Sequence, residues 1–197
     1  MGMLFSSDIV QSLTTEFDSL SRKIPLVVDP VMIASSGSTL TNPNCIQAYE
    51  KGIFAKATLI TPNIPEAEHL SGQKIYNGRD MIAVGVELSK KYNTNILLKG
   101  GHLGGKDKAI DVFLSSSGKY EFKTPFVSAP TSHGTGCILS SAIAANLALG
   151  KNLFDSISEA KGFVFASLKN CKKIGTNLFA LGLSKENNAS LVKWEKL

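Results

Sequence analysis

The sequence has few of the residues that build disulfide-bonded or zinc-bound scaffolds. Its 197 residues include only three cysteines and three histidines. Cys45, Cys137 and Cys171 lie far apart, no pair has Cys-x-x-Cys spacing, and the histidines show no ligand spacing either. We therefore expect neither a disulfide framework nor a zinc site.

Long apolar runs are also missing from the sequence. No stretch approaches the roughly 20 consecutive apolar residues that a membrane-spanning helix needs. The amino end has no basic segment followed by an apolar stretch and a cleavage site. These absences predict a cytoplasmic protein with no membrane partner.

Arginine is scarce, and the charge pattern argues against nucleic acid as a partner. Arg22 and Arg79 are the only arginines, so the net charge of +5 comes almost wholly from lysine. The lysines are scattered among acidic residues, with no dense basic run and no interleaved aromatic residues. A modest positive field of this kind attracts an anionic nucleotide in a generic way.

Helix and strand patterns alternate along the chain. Apolar residues at helical spacing and short β-branched runs predict the elements, and Asn42 with Pro43 marks one helix start. In the first helix, the spacing of Ile9, Leu13, Phe17 and Leu20 predicts one apolar face. The predicted helices cover residues 8–20, 43–56, 79–92, 136–149 and 153–172, the predicted strands cover 24–29, 58–61 and 95–99, and a hairpin covers 108–114 and 119–123. The order predicts one α/β domain over residues 1–197, with a doubly wound, mainly parallel sheet and helices on both faces.

A glycine-punctuated turn leads into a helix of small residues. Gly134 and Gly136 permit backbone conformations and close approaches that other residues do not, and the following helix start favours negative charge. Cys137 lies in the first turn of this helix, so the pattern predicts a phosphate site with a thiol beside it. Taken alone, the same residues fit a tight turn before a buried helix better.

Two further segments support the interpretation of this turn as part of a binding site. Asn63 and Glu66 follow the strand at 58–61, and Lys99 ends the strand at 95–99 before a glycine-rich loop. Ligands of open α/β sheets bind outside the carboxyl ends of the strands, so the three segments are expected to converge on one edge. Glu66 also fits a simpler interpretation, in which it stabilises the first turn of a helix.

Two nucleotide-binding motifs are imitated without being completed. The Gly100 to Lys106 stretch has the glycine and lysine spacing of a Walker A loop, but Asp107 stands where Ser or Thr is needed and no helix pattern follows. Gly134 to Gly136 lacks the third glycine of a dinucleotide fingerprint, because Leu139 occupies that position. A P-loop enzyme and an oxidoreductase are therefore not expected.

At this point the chain strongly resembles the hydroxymethylpyrimidine and phosphomethylpyrimidine kinases of thiamine biosynthesis, which are ribokinase-like vitamin kinases. The matching residues occur in the family's order and spacing up to about residue 150. They are Gly2-Met3-Leu4, Val28-Asp29-Pro30-Val31-Met32 with Ser36-Gly37, Thr61-Pro62-Asn63 with Glu66-Ala67, Leu98-Lys99-Gly100-Gly101-His102, and His133-Gly134-Thr135-Gly136-Cys137.

The resemblance implies a role for each matching position. It implies ATP and Mg²⁺ as cofactors, a small pyrimidine as substrate, and a homo-oligomer, most simply a dimer. The implied catalytic residues are Cys137 as general base, with the amides of Gly134, Thr135 and Gly136 around the transferring phosphoryl group. The implied nucleotide-binding residues are Lys99, Asn63 and Thr61, the implied magnesium-site residues are Glu66 and Asp29, and the implied pyrimidine-binding residues are Met3 and Val31.

Several of these positions have a structural interpretation beside the functional one. Cys137 also fits the interpretation of a small buried residue that serves packing, and Met3 and Val31 also fit core packing. If Cys137 is the base, its loss is expected to slow phosphorylation of the hydroxymethyl group more than that of the monophosphate, whose nucleophile is already anionic.

The chain also differs in two places from the family that it resembles. Relatives have a first strand, a glycine-rich turn and a helix before the position that matches Met1, and the stretch 175–182 lacks their usual Gly/His/Pro-rich ending. Pyridoxal kinase is an alternative function, because related vitamin kinases share this framework. A shortened, non-catalytic fragment that binds nucleotide or serves as an association partner is the second alternative.

Overall fold

A six-stranded sheet with helices on both faces forms the centre of the protein. The computed structural model describes residues 1–33, 37–105, 107–131, 133–183 and 188–197, with only the backbone described for His102 and Gly104. The helices are α1 (Ser7–Ser19), α2 (Pro43–Ala48), α3 (Ile64–Ser71), α4 (Gly78–Tyr92), α5 (Thr135–Ala148) and α6 (Leu153–Lys169). The strands are β1 (Val27–Val28), β2 (Leu59–Ile60), β3 (Asn95–Lys99), β4 (Lys108–Ser115), β5 (Gly118–Pro125), β6 (Lys172–Gly175), β7 (Leu178–Ala180) and β8 (Lys193–Lys196).

The strand order in the main sheet is β1-β2-β3-β4-β5-β8. The pairs β1·β2 and β2·β3 are parallel, whereas β4, β5 and β8 pair in antiparallel fashion at the other margin. The predicted α/β fold and the predicted hairpin of β4 and β5 are confirmed. The sequence did not predict β8, nor the separate two-stranded sheet of β6 and β7.

Side chains of β3 alternate between two cores, and this alternation fixes where its polar end points. Ile96 and Leu98 pack with α2, α3 and α4 on one face of the sheet. Leu97 packs on the other face with residues of α5 and α6, including Leu139 and Ile157. Because successive side chains of a strand point to opposite faces, Lys99 follows Leu97 onto the face that α5 and α6 cover.

Local signals place most helices within a few residues of their predicted positions. The Asn42 side chain accepts a hydrogen bond from the Cys45 N–H at 2.9 Å, which confirms the predicted start of α2. This helix changes its hydrogen bonding after Ala48 and continues as a π-helical turn over Tyr49–Ile53 and a 3-10 turn over Phe54–Lys56. The predicted helical stretch to residue 56 is therefore present in three forms.

The predicted inner face of α1 is wrong in detail. The prediction placed Ile9, Leu13, Phe17 and Leu20 against the core, but Ile9 and Leu20 are each 45% exposed and Val10 is the buried residue. The helix is rotated because residues 10, 13 and 17 also lie on one face at helical spacing. None of the described helices is long and apolar enough to cross a membrane.

Residues 1–4 lie beside β1 and are held there by hydrogen bonds. The Met1 ammonium donates to the Val27 carbonyl at 2.8 Å, and the Asp29 N–H donates to the Met1 carbonyl at 2.9 Å. From the region of α2, the Tyr49 hydroxyl donates to the Gly2 carbonyl at 2.9 Å. The chain therefore passes next to the end of β1, close to Asp29.

Candidate functional site

An ion pair joins the ends of two strands at one edge of the sheet. Lys99 is the last residue of β3, and Asp29 follows β1 directly. The Lys99 ammonium donates to the Asp29 carboxylate at 2.8 Å, and the two side chains are 15% and 5% exposed. The two residues are 70 positions apart, so only the parallel alignment of β1, β2 and β3 brings them together.

The first turn of α5 lies against this ion pair. Gly134 precedes the helix with φ of 86°, a left-handed conformation that favours glycine. A Cβ atom placed on Gly136 would lie 3.1 Å from the Lys99 Nζ and 3.6 Å from an Asp29 carboxylate oxygen. The amino end of a helix, an ammonium group and a carboxylate therefore meet at this edge.

Asn63 and Glu66 start helix α3 by bonding to each other. The Asn63 side chain accepts from the Glu66 N–H at 2.9 Å, and the Glu66 carboxylate accepts from the Asn63 N–H at 2.9 Å. This reciprocal pair satisfies two N–H groups that a helix start leaves without helical partners. The simpler interpretation of Glu66, stabilisation of a first helical turn, is thus correct as a local description.

The same two side chains also hold the segment that follows Asp29. Glu66 accepts a second hydrogen bond from the Met32 N–H at 2.9 Å, and the Asn63 amide donates to the Ile33 carbonyl at 2.8 Å. Glu66 is only 1% exposed, and this burial raises the pKa of its carboxyl, against the opposing effect of Lys99. Asn63 and Glu66 therefore connect the ends of β1 and β2.

The segment held in this way contains a strained residue. Val31 has φ of 47°, in the left-handed region where β-branched residues are genuine outliers. Such strain costs about 1–3 kcal/mol and persists only where surrounding contacts over-determine the backbone. The hydrogen bonds of Asn63 and Glu66 to residues 32 and 33 supply those contacts, so the strain lies directly beside the ion pair.

Thr61 is placed where it contacts the protein itself. Its side chain is fully buried, and its hydroxyl lies 2.9 Å from that of Ser140 in α5. Ser140 also donates to the Gly136 carbonyl at 3.0 Å. Thr61 thus connects the end of β2, through Ser140, to the first turn of α5. Nucleotide binding by Thr61 stays a prediction, in which Thr61 affects the nucleotide through its contact with Ser140.

The remaining predicted residues are more open. Cys137 is exposed in the first turn of α5, Met3 is 39% exposed, and Val31 is half-buried. Ser36 and Lys106 lie outside the described residues, as does the side chain of His102. Cys137, Met3 and Val31 are therefore accessible enough to meet a ligand.

The carboxylates at this edge fit a magnesium ion that takes most of its ligands from water and substrate phosphates. Over the described ranges, no three His, Cys, Asp or Glu side chains come together as a metal-binding group. Asp29 and Glu66 provide two buried carboxylates near Lys99. Mg²⁺ keeps several waters and is commonly bound by one or two carboxylates with substrate phosphates, which suits this donor set.

Two polar residues near this edge were missed from the sequence. Ser140 lies one helical turn after Gly136, and Asp111 interrupts an otherwise apolar run in β4. Asp111 lies directly opposite Lys99 in the register of β3 and β4 and is 7% exposed. An acidic residue within an apolar strand was the signal that could have identified it.

Comparison with known proteins places this arrangement in a family. A sequence profile described as phosphomethylpyrimidine kinase matches residues 1–181. The chain is 35% identical over 174 residues to the thiamine biosynthesis bifunctional protein ThiED of Geobacter sulfurreducens, covering 88% of this chain and 35% of that protein. It is also 35% identical over 175 residues to the hydroxymethylpyrimidine/phosphomethylpyrimidine kinase of Aquifex aeolicus, covering 89% and 68%.

A solved structure shows the same fold. The pyridoxal kinase of Staphylococcus aureus in complex with AMP-PCP matches with a TM-score of 0.88 and 29% identity, over 100% of this chain and 71% of that chain. This likeness confirms the predicted ribokinase-like fold. With the profile match over residues 1–181, it follows that the chain belongs to the phosphomethylpyrimidine kinase family.

Proposed function

We propose that the protein is an ATP- and magnesium-dependent kinase that phosphorylates 4-amino-5-hydroxymethyl-2-methylpyrimidine and its monophosphate in thiamine biosynthesis. The observation that carries this proposal is the meeting of Lys99, Asp29 and the amino end of α5 at the carboxyl edge of the parallel strands. Phosphoryl transfer depends mainly on positioning and charge neutralisation, and this edge offers both.

The protein groups divide the work on the phosphates. The N–H groups of Gly134, Thr135 and Gly136 open α5, where a helix presents donors that need no rearrangement during reaction. Lys99 supplies a positive charge, and Asp29 holds its ammonium group in place. In the proposed complex, a nucleotide phosphate pairs with the same ammonium group. Asp29 and Glu66 would hold Mg²⁺, which neutralises phosphate charge when bound.

Cys137 is the proposed general base. Its thiolate would take the proton from the substrate hydroxyl as the hydroxyl oxygen attacks the phosphoryl group. A monophosphate acceptor is already ionised and has less need of this step. The exposure of Cys137 in the first turn of α5 supports the assignment, because a base must reach the substrate.

The test of this role compares two acceptors in one variant. Cys137→Ala is expected to lower kcat with the hydroxymethyl pyrimidine by roughly 10²–10⁴-fold, the usual contribution of a general base, and to affect the monophosphate less. Cys171→Ala is the matched control, because Cys171 is half-buried at the end of α6 and touches the Thr131 carbonyl. Equal losses for the two acceptors would show that Cys137 is not the base.

The pyrimidine is favoured over pyridoxal as the acceptor, although the framework serves both. The relative from Aquifex aeolicus, named for the pyrimidine, is 35% identical, whereas the Staphylococcus aureus pyridoxal kinase structure is 29% identical. Met3 and Val31 are the proposed pyrimidine contacts. Val31 lies in the strained segment beside Asp29. Met3 lies in the segment of residues 1–4, which runs beside β1.

The first experiment measures ATP turnover by the purified 197-residue chain. The acceptors are the pyrimidine monophosphate and pyridoxal, with a reaction lacking any acceptor as the control. Turnover confined to the pyrimidine supports the proposal, and turnover with pyridoxal supports the alternative. Folded protein that binds Mg-ATP without turnover supports a non-catalytic fragment, a relevant outcome because the chain spans 35% and 68% of the two relatives.

The proposal includes a homo-oligomer, most simply a dimer, in the cytoplasm. Size-exclusion chromatography with light scattering measures the mass directly against the 21.0 kDa of one chain. A mass of one chain at the concentration of the kinase assay would remove the dimer from the proposal without affecting the reaction.

A further inference from the structure

A second buried ion pair lies next to the proposed nucleotide site and has no role in the chemistry described above. Lys161 of α6 donates to the Asp111 carboxylate at 2.6 Å. Lys161 is 6% exposed and Asp111 is 7% exposed. Charged groups at this depth are costly unless each has a partner, so the pair is a built feature of the fold.

The second oxygen of Asp111 holds the backbone directly after Lys99. It accepts a hydrogen bond from the Gly100 N–H at 3.1 Å, and the same N–H also donates to the Ile110 carbonyl at 2.9 Å. Gly100 is tightly enclosed, since an added Cβ would lie 2.4 Å from the Ile110 carbonyl oxygen and 2.7 Å from the Met81 Cε. The peptide that joins Lys99 to Gly100 is thereby fixed.

This peptide governs the direction of two functional parts. On its amino side, Lys99 ends β3 and bonds Asp29. On its carboxyl side, the chain makes a 3-10 turn over Gly101–Gly104, in which the Leu103 N–H donates to the Gly100 carbonyl at 3.0 Å. Rotation of the peptide would move both the ammonium group and the glycine-rich loop.

We propose that Asp111 is a positioning residue for nucleotide binding. Lys161 fixes the orientation of its carboxylate, and the carboxylate fixes the Gly100 N–H, so that Lys99 and the following loop face the nucleotide phosphates. This inference rests on the proposed function, because it takes Lys99 as the group that pairs with those phosphates.

The chemistry of the pair suggests how to separate positioning from stability. Asparagine at position 111 retains an oxygen that accepts from Gly100, whereas leucine of similar size does not. Lys161→Met removes the cation that would otherwise be left without a partner. Apolar replacement of a whole buried ion pair is often tolerated, while removal of one partner alone is strongly destabilising.

The experiment therefore compares D111L/K161M with D111N/K161M in the full chain. Both variants lack the ion pair, and only the first lacks the acceptor for Gly100. We expect D111L/K161M to raise KM for ATP about tenfold or more, because small displacements of positioned groups have effects of this size. KM for the pyrimidine monophosphate is expected to stay within about threefold of the wild-type value, since the displaced groups face ATP.

D111N/K161M is expected to keep both KM values within about threefold of wild type, because the acceptor is retained. Equal KM values for ATP in the two folded variants would overturn the inference. If D111L/K161M does not fold, D111A/K161M replaces it in the same comparison of KM for ATP, because alanine also lacks the acceptor for Gly100. A difference of about tenfold or more from D111N/K161M supports the inference, and equal KM values overturn it.

Failure of the proposed function would be recognised separately. A wild-type chain that transfers phosphate to no acceptor disproves the proposed function. In that case the dissociation constants of Mg-ATP replace KM, and a difference of about tenfold between the two variants still supports positioning by Asp111. A wild-type chain that does not bind Mg-ATP overturns both.

Discussion

Replacement of Gly136 by alanine separates the chemistry of the site from the stability of the fold. Gly136 lies in the first turn of α5, directly above the ion pair of Lys99 and Asp29. Its φ is helical, so alanine is allowed by the backbone at this position. Any loss of activity in Gly136→Ala therefore comes from the methyl group and the atoms it meets.

The size of the effect follows from the distances. The new Cβ would lie 3.1 Å from the Lys99 Nζ, so the ammonium must move by a few tenths of an ångström. A misplacement of about 1 Å can cost roughly 10²-fold in rate, and this smaller movement predicts a loss of about tenfold in kcat/KM. The free energy of unfolding gains about 0.5–1 kcal/mol from alanine in a helix.

The weakened contact of Lys99 with Asp29 opposes that gain. Both charges stay paired, so the cost is well below the roughly 3–5 kcal/mol of removing one partner of a buried pair, and the free energy of unfolding is expected to stay within about 1 kcal/mol of wild type. Gly78→Ala is the matched control. Gly78 also lies in the first turn of a helix, but nothing lies within 4 Å of an added Cβ. It is expected to keep wild-type turnover and equal or greater stability.

Two measurements on each variant test the reasoning. Urea unfolding gives the free energy of unfolding, and ATP turnover with the pyrimidine monophosphate gives kcat and KM. Gly136→Ala with wild-type kcat/KM would refute the claim that Lys99 and the start of α5 act together. Equal losses of activity in Gly136→Ala and Gly78→Ala would refute it as well.

Two further predictions concern the segment beside the ion pair. Burial raises the pKa of Glu66, so the free energy of unfolding is expected to fall as pH rises above the ordinary value of 4.5 and through the raised pKa. Urea unfolding against pH should show that Glu66→Gln removes this fall. Glu68→Gln should instead remove a loss seen as pH falls below 4.5, because a hydrogen bond from Lys74 lowers the pKa of Glu68. Val31→Gly relieves strain of about 1–3 kcal/mol and costs about 0.5–1 kcal/mol in backbone entropy, so the free energy of unfolding should rise by about 0–2.5 kcal/mol. A loss of 3 kcal/mol or more on urea unfolding would show that Val31 is not strained.

Much of the architecture was predictable because its signals are local. The strand at 95–99 has the predicted bounds, and Asn42 and Asn63 cap their helices through side chains only three residues away. The hairpin of β4 and β5 is also a short-range feature, since Ser115 to Gly118 join two neighbouring strands. Short-range features depend on residue type and spacing, which the sequence displays directly.

Other parts depend on pairings that no local pattern records. Strand β8 adds to β5 across a separation of about 70 residues, and the inward face of α1 was assigned incorrectly because two apolar faces compete in its sequence. The strained φ of Val31 is imposed by Glu66, more than 30 residues later. The second role of Glu66 was invisible for this reason, although its role at the start of α3 was not.

The sequence by itself determined the order of elements from α1 to α6 apart from α3, the glycine-marked start of α5 and the placement of Asp29, Lys99 and Asn63 at strand ends. These follow from periodicity, capping and conformational preference, each of which acts over a few residues. Only the tertiary structure decided that Lys99 pairs with Asp29 beneath Gly136 and that Asp111 holds Gly100. Those contacts join residues that are distant in the chain, and the alignment of strands in the sheet alone makes them neighbours.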